Sequence, residues 1–271
     1  MGDGALAKAY ARTGDKGRAL LKSLIALLYE ALEPGQPSAR KTVKRYRSGL
    51  LHSSEHSSRS WFVLALAPEV TSGPQVLAAL MPAVVRRIPH ILVLRPRSRS
   101  SWPPAVLAAL ELCGVERVYS PPQACVKDYL EFLAASHGRG GLACLGNGSF
   151  FERMAAMAQT LGCGPSLWLE PPSALGIWTQ PALEWNFEAM RFAHPQAALV
   201  AYGQGEAPGL TRHEGGPEVF RASTFAVVYA PAGFRPTTAL VRLGPGLEAF
   251  WAWPHDFTEL LERKRIVYSK D

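Results

Sequence analysis

Long hydrophobic runs and closely spaced cysteines are both missing from this chain. Across 271 residues no apolar run approaches the roughly 18 residues that a membrane span needs. Met1 is not followed by a signal-peptide pattern, so we expect a cytoplasmic protein with no membrane partner. No two cysteines are close enough for a metal knuckle, which favours reduced thiols at Cys113, Cys125, Cys144 and Cys163.

Charge is also modest in amount, although it is biased in sign. Charged residues make up 19% of the chain, and the formal net charge is +7. Such a balance suits phosphate-bearing metabolites as well as nucleic acid. Because there is no aromatic-interleaved basic patch and no known binding motif, we expect no nucleic-acid partner. The basic run at residues 40–47 is interpreted as a solvated helix face, with an anion or partner contact as the alternative.

One short motif suggests metal chemistry but lacks its structural context. Residues 52–56 read His-Ser-Ser-Glu-His, which matches the inverted zinc-protease pattern H-x-x-E-H. That chemistry needs both histidines on one face of a firm helix. Serine is a poor interior helix former and flanks the motif on both sides, so zinc hydrolysis is not predicted.

What the chain does contain is an alternation of short apolar strands and helices. Strands are predicted at residues 61–67, 91–94, 115–119 and 140–145, with helices at 75–87, 103–113 and from 123 onward. This alternation is typical of βαβ units on a parallel sheet. The predicted fold class is therefore α/β, with Rossmann-like, mostly parallel sheets and flanking helices. Such sheets bind ligands at the carboxyl ends of their strands.

Three segments are predicted along the chain. Residues 1–60 form an N-terminal helical arm that includes a helix at 16–32 closed by Pro34-Gly35, and residues 61–203 form the Rossmann-like region. A helix is expected at 183–192 and further strands at 166–169, 174–178 and 197–202. Residues 204–271 comprise a Gly-rich loop at 204–218, strands at 225–229 and 239–243, a helix at 257–264 and a strand at 266–268. A terminal strand often joins a sheet edge, sometimes that of a second subunit, so we expect a homo-oligomer.

A glycine-rich turn separates the strand at 140–145 from a helix predicted at 149–161. Gly146, Asn147 and Gly148 place backbone N–H groups at the start of that helix, which is a ready anion site. The third glycine of a dinucleotide fingerprint is replaced by Phe151. The turn is therefore a candidate anion site, with helix–strand packing as its alternative role.

Residues 76–85, 91–96 and 104–119 resemble the central region of histidinol dehydrogenases. That family belongs to the aldehyde-dehydrogenase-like superfamily and oxidises an amino alcohol with zinc and two NAD. The resemblance covers about residues 61–202 and keeps its order throughout. It implies NAD contacts by Gln123 and Asn147, and a substrate contact by Ser173. Gly146 and Gly148 flank Asn147 and complete the candidate cofactor site.

Other positions depart from the family's pattern. Arg191 stands where the family has a glutamine zinc ligand, although His194 is kept. A guanidinium cannot ligate zinc and would repel it, so the resemblance implies that zinc catalysis has been lost. Leu66 replaces a tyrosine that contacts NAD. Glu218 is followed by Val219 where the family has its proton-transfer histidine.

Three functional hypotheses follow. The first is a histidinol-dehydrogenase-like protein with a cleft for NAD, another nucleotide or a small anionic ligand. The second is a metal-free, aldehyde-dehydrogenase-like oxidoreductase whose nucleophile is Cys144, since a helix start can depress a thiol pKa. The third is a non-enzymatic partner protein that uses residues 40–47 and 250–253 as contact surfaces. Any turnover would be NAD-dependent, but no catalytic residue is assigned; the candidates are His194, Glu218 and Cys144.

Overall fold

The chain begins with two helices that pack on the rest of the protein. A computed structural model describes residues 2–32, 39–234 and 238–270. The first helix, α1 (Asp3–Arg12), has no counterpart in the sequence prediction, whereas α2 (Gly14–Ala31) matches the helix expected at 16–32. Leucines spaced along one face of α2 are buried, at positions 21, 24 and 28, as helical periodicity requires. Pro34 and Gly35 lie outside the described residues.

The basic run at 40–47 forms a strand, so its prediction as a helix face is wrong. Strand β1 (Ala39–Arg45) pairs antiparallel with β2 (Leu50–Ser58). The second strand carries the H-x-x-E-H motif, which therefore lies on extended backbone rather than on the helix that zinc hydrolysis needs. Serines are weak helix formers, and the cross-strand hydrogen bonds with β1 supply the partners that a helix would have provided.

A five-stranded parallel sheet follows, as the alternation of segments predicts. Its spatial order is β5-β4-β3-β6-β7, and β3 is central with all six residues buried. The strands are β3 (Trp61–Leu66), β4 (His90–Leu94), β5 (Val118–Tyr119), β6 (Gly141–Leu145) and β7 (Ser166–Leu169). The connecting helices are α3 (Gly73–Val85), α4 (Pro104–Leu112), α5 (Val126–His137) and α6 (Gly148–Thr160).

A second five-stranded parallel sheet has the same topology as the first. Its order is β10-β9-β8-β11-β12. In each sheet the first strand along the chain is central, the next two strands are added on one side of it, and the last two are added on the other side. The strands are β8 (Ala174–Thr179), β9 (Ala198–Gly203), β10 (Thr211–Arg212), β11 (Val227–Tyr229) and β12 (Val241–Leu243). Two short helices accompany them, α7 (Phe187–Ala193) and α8 (Pro217–Arg221). The segment 204–218 thus contains β10 and the start of α8.

The C-terminal segment returns to the first strands of the chain. A short helix, α9 (Thr258–Leu261), leads directly into β13 (Glu262–Lys270), which pairs antiparallel with β2. The helix predicted at 257–264 is therefore wrong over its last three residues. The prediction that the terminal strand joins a sheet edge is confirmed, and that sheet belongs to the same chain.

The first parallel sheet ends at Leu169 and the second begins at Ala174, whereas the sequence analysis predicts residues 61–203 as one region.

Trp251 and Trp253 lie in the core with 1% and 8% of their surface exposed, so they cannot form the contact surface proposed for 250–253. Within residues 2–32, 39–234 and 238–270, no helix is long and apolar enough to cross a bilayer.

Candidate functional site

The first sheet reverses its strand order between β3 and β6, which is where doubly wound folds bind ligands. Glu69 follows β3, and Asn147 follows β6. The side-chain amide of Asn147 donates to Glu69 Oε1 over 2.6 Å, and its backbone N–H donates to the same oxygen over 3.3 Å. A carboxylate of the chain itself thus lies at the start of α6, in the position that a bound anion would take.

Asn147 also caps α6, and its glycine neighbours permit close packing. Its Oδ1 accepts from the N–H of Phe150 over 2.9 Å, the usual bond of a helix N-cap. Gly146 has φ of 148°, and a Cβ placed there would lie 2.2 Å from the Cβ of Ala67. A Cβ at Gly148 would lie 3.4 Å from the Trp168 ring, which is an ordinary contact distance. Gly146, rather than Gly148, is therefore the glycine that helix–strand packing requires, in agreement with the alternative role predicted for this turn.

A chain of contacts joins Asn147 to the neighbourhood of Ser173. The amide of Gln196, from the segment before β9, donates to the backbone oxygen of Glu69. Two residues later, the N–H of Ala198 donates to the carbonyl of Ser173 over 2.9 Å. Asn147 and Ser173 therefore border the same junction between the two sheets. The side chains of Ser173 and Asn147 are both exposed there.

Gln123 lies apart from this junction. It begins a single 3₁₀ turn after β5, and its side chain is exposed. Strands β5 and β6 are separated by β4 and β3, which places their ends about 14 Å apart. That these three polar residues contact a nucleotide or substrate stays a prediction.

Arg95 is a charged residue of this edge that the sequence interpretation missed. Its guanidinium follows β4 and donates to the carbonyls of Pro68 and Ser101 over 2.5 and 3.0 Å. Burial lowers the Arg95 pKa, and the nearby Glu69 carboxylate opposes that change. The guanidinium also lies 5.2 Å from the Trp102 ring centroid, within cation–π range. Arg95 thus holds the loops after β3 and β4 together.

A groove of about 470 Å³ opens beside the Ser173–Ala198 contact. It is formed by the end of α7, the start of β9 and the segment entering β10, and includes Arg191, Ala198 and Thr211. Arg191 is exposed, and its guanidinium is anchored by the carbonyl of Pro208 at 3.1 Å. A cation on the wall of a concave surface can hold a phosphate or carboxylate. The sequence interpretation considered Arg191 only as the loss of a zinc ligand.

His194 lies on the inner wall of this groove and belongs to a buried hydrogen-bond network. Only 1% of its surface is exposed. Its Nε2 lies 3.0 Å from the Tyr229 hydroxyl, which itself donates to the carbonyl of Glu248 over 3.0 Å. Tyr229 must therefore accept from a protonated Nε2, which leaves Nδ1 to accept from the amide of Gln75 at 3.4 Å.

The environment of His194 favours its neutral form and does not suit zinc. Burial lowers the His194 pKa from 6.5 to about 4. Zinc needs a free nitrogen lone pair, and the only lone pair of this tautomer faces Gln75. In the part of the chain that the structure describes, no three His, Cys, Asp or Glu side chains are grouped as metal ligands. The donor set around His194 and Arg191 therefore does not suit a zinc ion.

The other catalytic candidates lie in contrasting environments. Cys144 is fully buried in β6, and burial raises its thiol pKa, which is the reverse of an activated nucleophile. Glu218 is exposed at the start of α8 and pairs with Arg221 at 2.7 Å. Neither side chain lies at the junction between the two sheets.

The architecture was compared with known protein families, sequences and structures. No protein-family model matches the chain, and no curated protein matches its sequence. The structure of histidinol dehydrogenase from Elizabethkingia anophelis superposes with a TM-score of 0.61, covering 100% of this chain and 76% of that enzyme at 12% identity. The chain therefore has a histidinol dehydrogenase-like fold.

Structures of aldehyde dehydrogenases are similar over a smaller part of the molecule. Succinate-semialdehyde dehydrogenase from Burkholderia pseudomallei covers 73% of this chain with a TM-score of 0.43 and 12% identity, over 46% of its own length. A putative aldehyde dehydrogenase from Bacillus subtilis covers 73% with a TM-score of 0.40 and 11% identity, over 49% of its own length. The similarity to histidinol dehydrogenase, with its TM-score of 0.61, confirms the α/β prediction and the histidinol dehydrogenase-like fold that the resemblance in residues 61–202 implied.

Proposed function

We propose that this protein binds NAD, another nucleotide or a similar small anionic ligand without zinc chemistry. The observation that carries the proposal is the guanidinium of Arg191 on the wall of the 470 Å³ groove. Sites for small ligands are concave and have volumes of about 300–1,000 Å³. The Nη2 of this guanidinium is bonded to backbone carbonyls, and its remaining N–H groups can donate to a phosphate or carboxylate.

The contacts at the point between β3 and β6, where the first sheet reverses its strand order, support placing the ligand in this groove. There, the backbone N–H of Asn147, at the start of α6, already donates to the Glu69 carboxylate. At the start of α3, the Ser72 hydroxyl donates to the carbonyl of Ala193 over 2.6 Å, which brings the end of α7 against that helix. Both helix starts beside this point therefore already contact acceptors of the chain itself, a carboxylate at α6 and a backbone carbonyl at α3. The groove beside them has a cation in its wall.

Ligand binding is tested by thermal shift and calorimetry with NAD, NADH, NADP and inorganic phosphate. We expect at least one nucleotide to raise the Tm of the wild-type protein, and Arg191→Gln to weaken its binding by about tenfold or more, since an arginine–phosphate pair contributes roughly 1.5–3 kcal/mol. Arg153→Gln, on the exposed side of α6, removes the same charge at a distance and should leave binding unchanged.

Two results would refute the proposal. One is the absence of any nucleotide effect on Tm at millimolar concentration. The other is equal binding by the Arg191→Gln variant and the wild-type protein. Assays with histidinol and NAD, with and without added zinc, should give no turnover, because the resemblance implies that Arg191 stands in place of a glutamine zinc ligand.

A further inference from the structure

The antiparallel sheet β1-β2-β13 carries most of the net charge of this protein. Its three strands contain eight lysines and arginines and two glutamates, a net charge of +6, compared with +7 for the whole chain. One of the glutamates, Glu262, is paired with Arg86 at 3.2 Å. Nearly all of β13 is exposed, so this charge faces solvent rather than a core. The remainder of the molecule is close to neutral.

One face of the sheet combines aromatic rings with cations. The strand register aligns Lys44, His52 and Tyr268 side by side, and places Arg40 and Lys264 on the same face, four residues further along their strands. The rings of His52 and Tyr268 stack with centroids 5.0 Å apart. Tyr268 is nonetheless 65% exposed, so the other side of its ring is open. The face is thus an aromatic platform between lysine and arginine side chains.

We propose that the Tyr268 face of this sheet binds single-stranded nucleic acid. Its lysines and arginines contact the phosphates, and a base stacks on the exposed ring of Tyr268. Basic surfaces that carry aromatic side chains bind single strands in this way, because every base offers a π-face whatever its sequence. Three strands give a surface roughly 10 Å wide, which accommodates an extended strand with its bases unpaired.

The fold creates this surface from segments that are distant in sequence. Residues 40–44 supply one row of cations, and residues 264–270 supply the second row together with the tyrosine. Neither segment alone interleaves aromatic and basic residues at the spacing of a binding motif. An acidic protein partner would match the charge but would not require an open aromatic ring, and this difference separates the two classes of partner.

The proposal is tested on the full chain by fluorescence anisotropy with labelled 20-nucleotide oligo(dT) and oligo(U) between 50 and 200 mM salt. We expect binding that weakens steeply with salt, since each neutralised phosphate contributes about 0.7 to the salt slope. Lys44→Gln with Lys264→Gln should weaken binding by about tenfold and lower that slope. Tyr268→Ala should weaken binding by about fivefold or more without changing the slope.

The opposite face of the sheet supplies a matched control. Lys41→Gln with Arg265→Gln removes the same charge from the same two strands, but on the other face, and should change the Kd by less than about twofold. Circular dichroism and Tm confirm that each variant is folded. The proposal is overturned if no oligonucleotide binds at 50 mM salt, if both pairs of substitutions weaken binding equally, or if poly-glutamate competes as well as oligo(dT). It is also overturned if light scattering shows a dimer that Tyr268→Ala dissociates.

Discussion

Acid should destabilise this protein through His194, and replacing that side chain by glutamine tests the network around it. Folding lowers the His194 pKa from 6.5 to about 4, so the unfolded chain takes up the proton first as the pH falls. The stability contributed by neutral His194 is complete above pH 6.5 and is lost as the pH falls toward 4. The shift corresponds to roughly 3 kcal/mol at its full extent.

Urea denaturation of the wild type and of His194→Gln between pH 7.5 and 4 measures this effect. At pH 7.5 the variant should be less stable by about 1–3 kcal/mol, because a buried hydrogen-bond network is altered. As the pH falls, that deficit should shrink and then reverse, since glutamine does not titrate. His213→Gln changes an exposed histidine and should leave the profile unchanged. A deficit for His194→Gln that is constant from pH 7.5 to 4 would refute the reasoning.

Three further changes test the junction between the sheets. Glu69→Ala removes the carboxylate from the start of α6, so phosphate should raise the Tm of the variant more than that of the wild type; equal shifts would contradict this. Gly146→Ala places a Cβ 2.2 Å from the Cβ of Ala67 and should lower the free energy of unfolding by about 2 kcal/mol or more in urea, and an unchanged midpoint would be inconsistent with that packing. Cys144 should react with iodoacetamide far more slowly than the partly exposed Cys125, because burial suppresses its thiolate; mass spectrometry of the native protein would detect the opposite order.

The central strands of the parallel sheets could be predicted because they are buried on both faces. Residues 61–66 are continuously apolar, and such a short run between helices of clear 3.6-residue periodicity predicts a buried strand. The strands β1 and β13 could not be predicted in this way. Both of their faces are exposed and basic, so no apolar alternation marks them. Their conformation depends on pairing with β2, which is a long-range contact.

The site was predictable only in part, for a similar reason. Asn147 stands at a strand–turn–helix junction whose local sequence identifies it. The bonds of His194 involve Gln75 and Tyr229, which are 119 and 35 residues away. A single sequence contains no signal that these distant residues contact one another. The same holds for Arg191, whose anchor at Pro208 depends on how the loop before β10 folds.

The two sheets also constrain each other at their junction. Both have the order of a doubly wound fold, yet α7 of the second ends against the start of α3 in the first, through the Ser72–Ala193 bond. The carbonyl end of one helix dipole thus faces the amide end of another, an arrangement that stabilises both. It also covers the α3 N-terminus that a dinucleotide would use on an isolated sheet. His194 directly follows that contact, so its burial and the packing of α7 against the start of α3 have one structural cause.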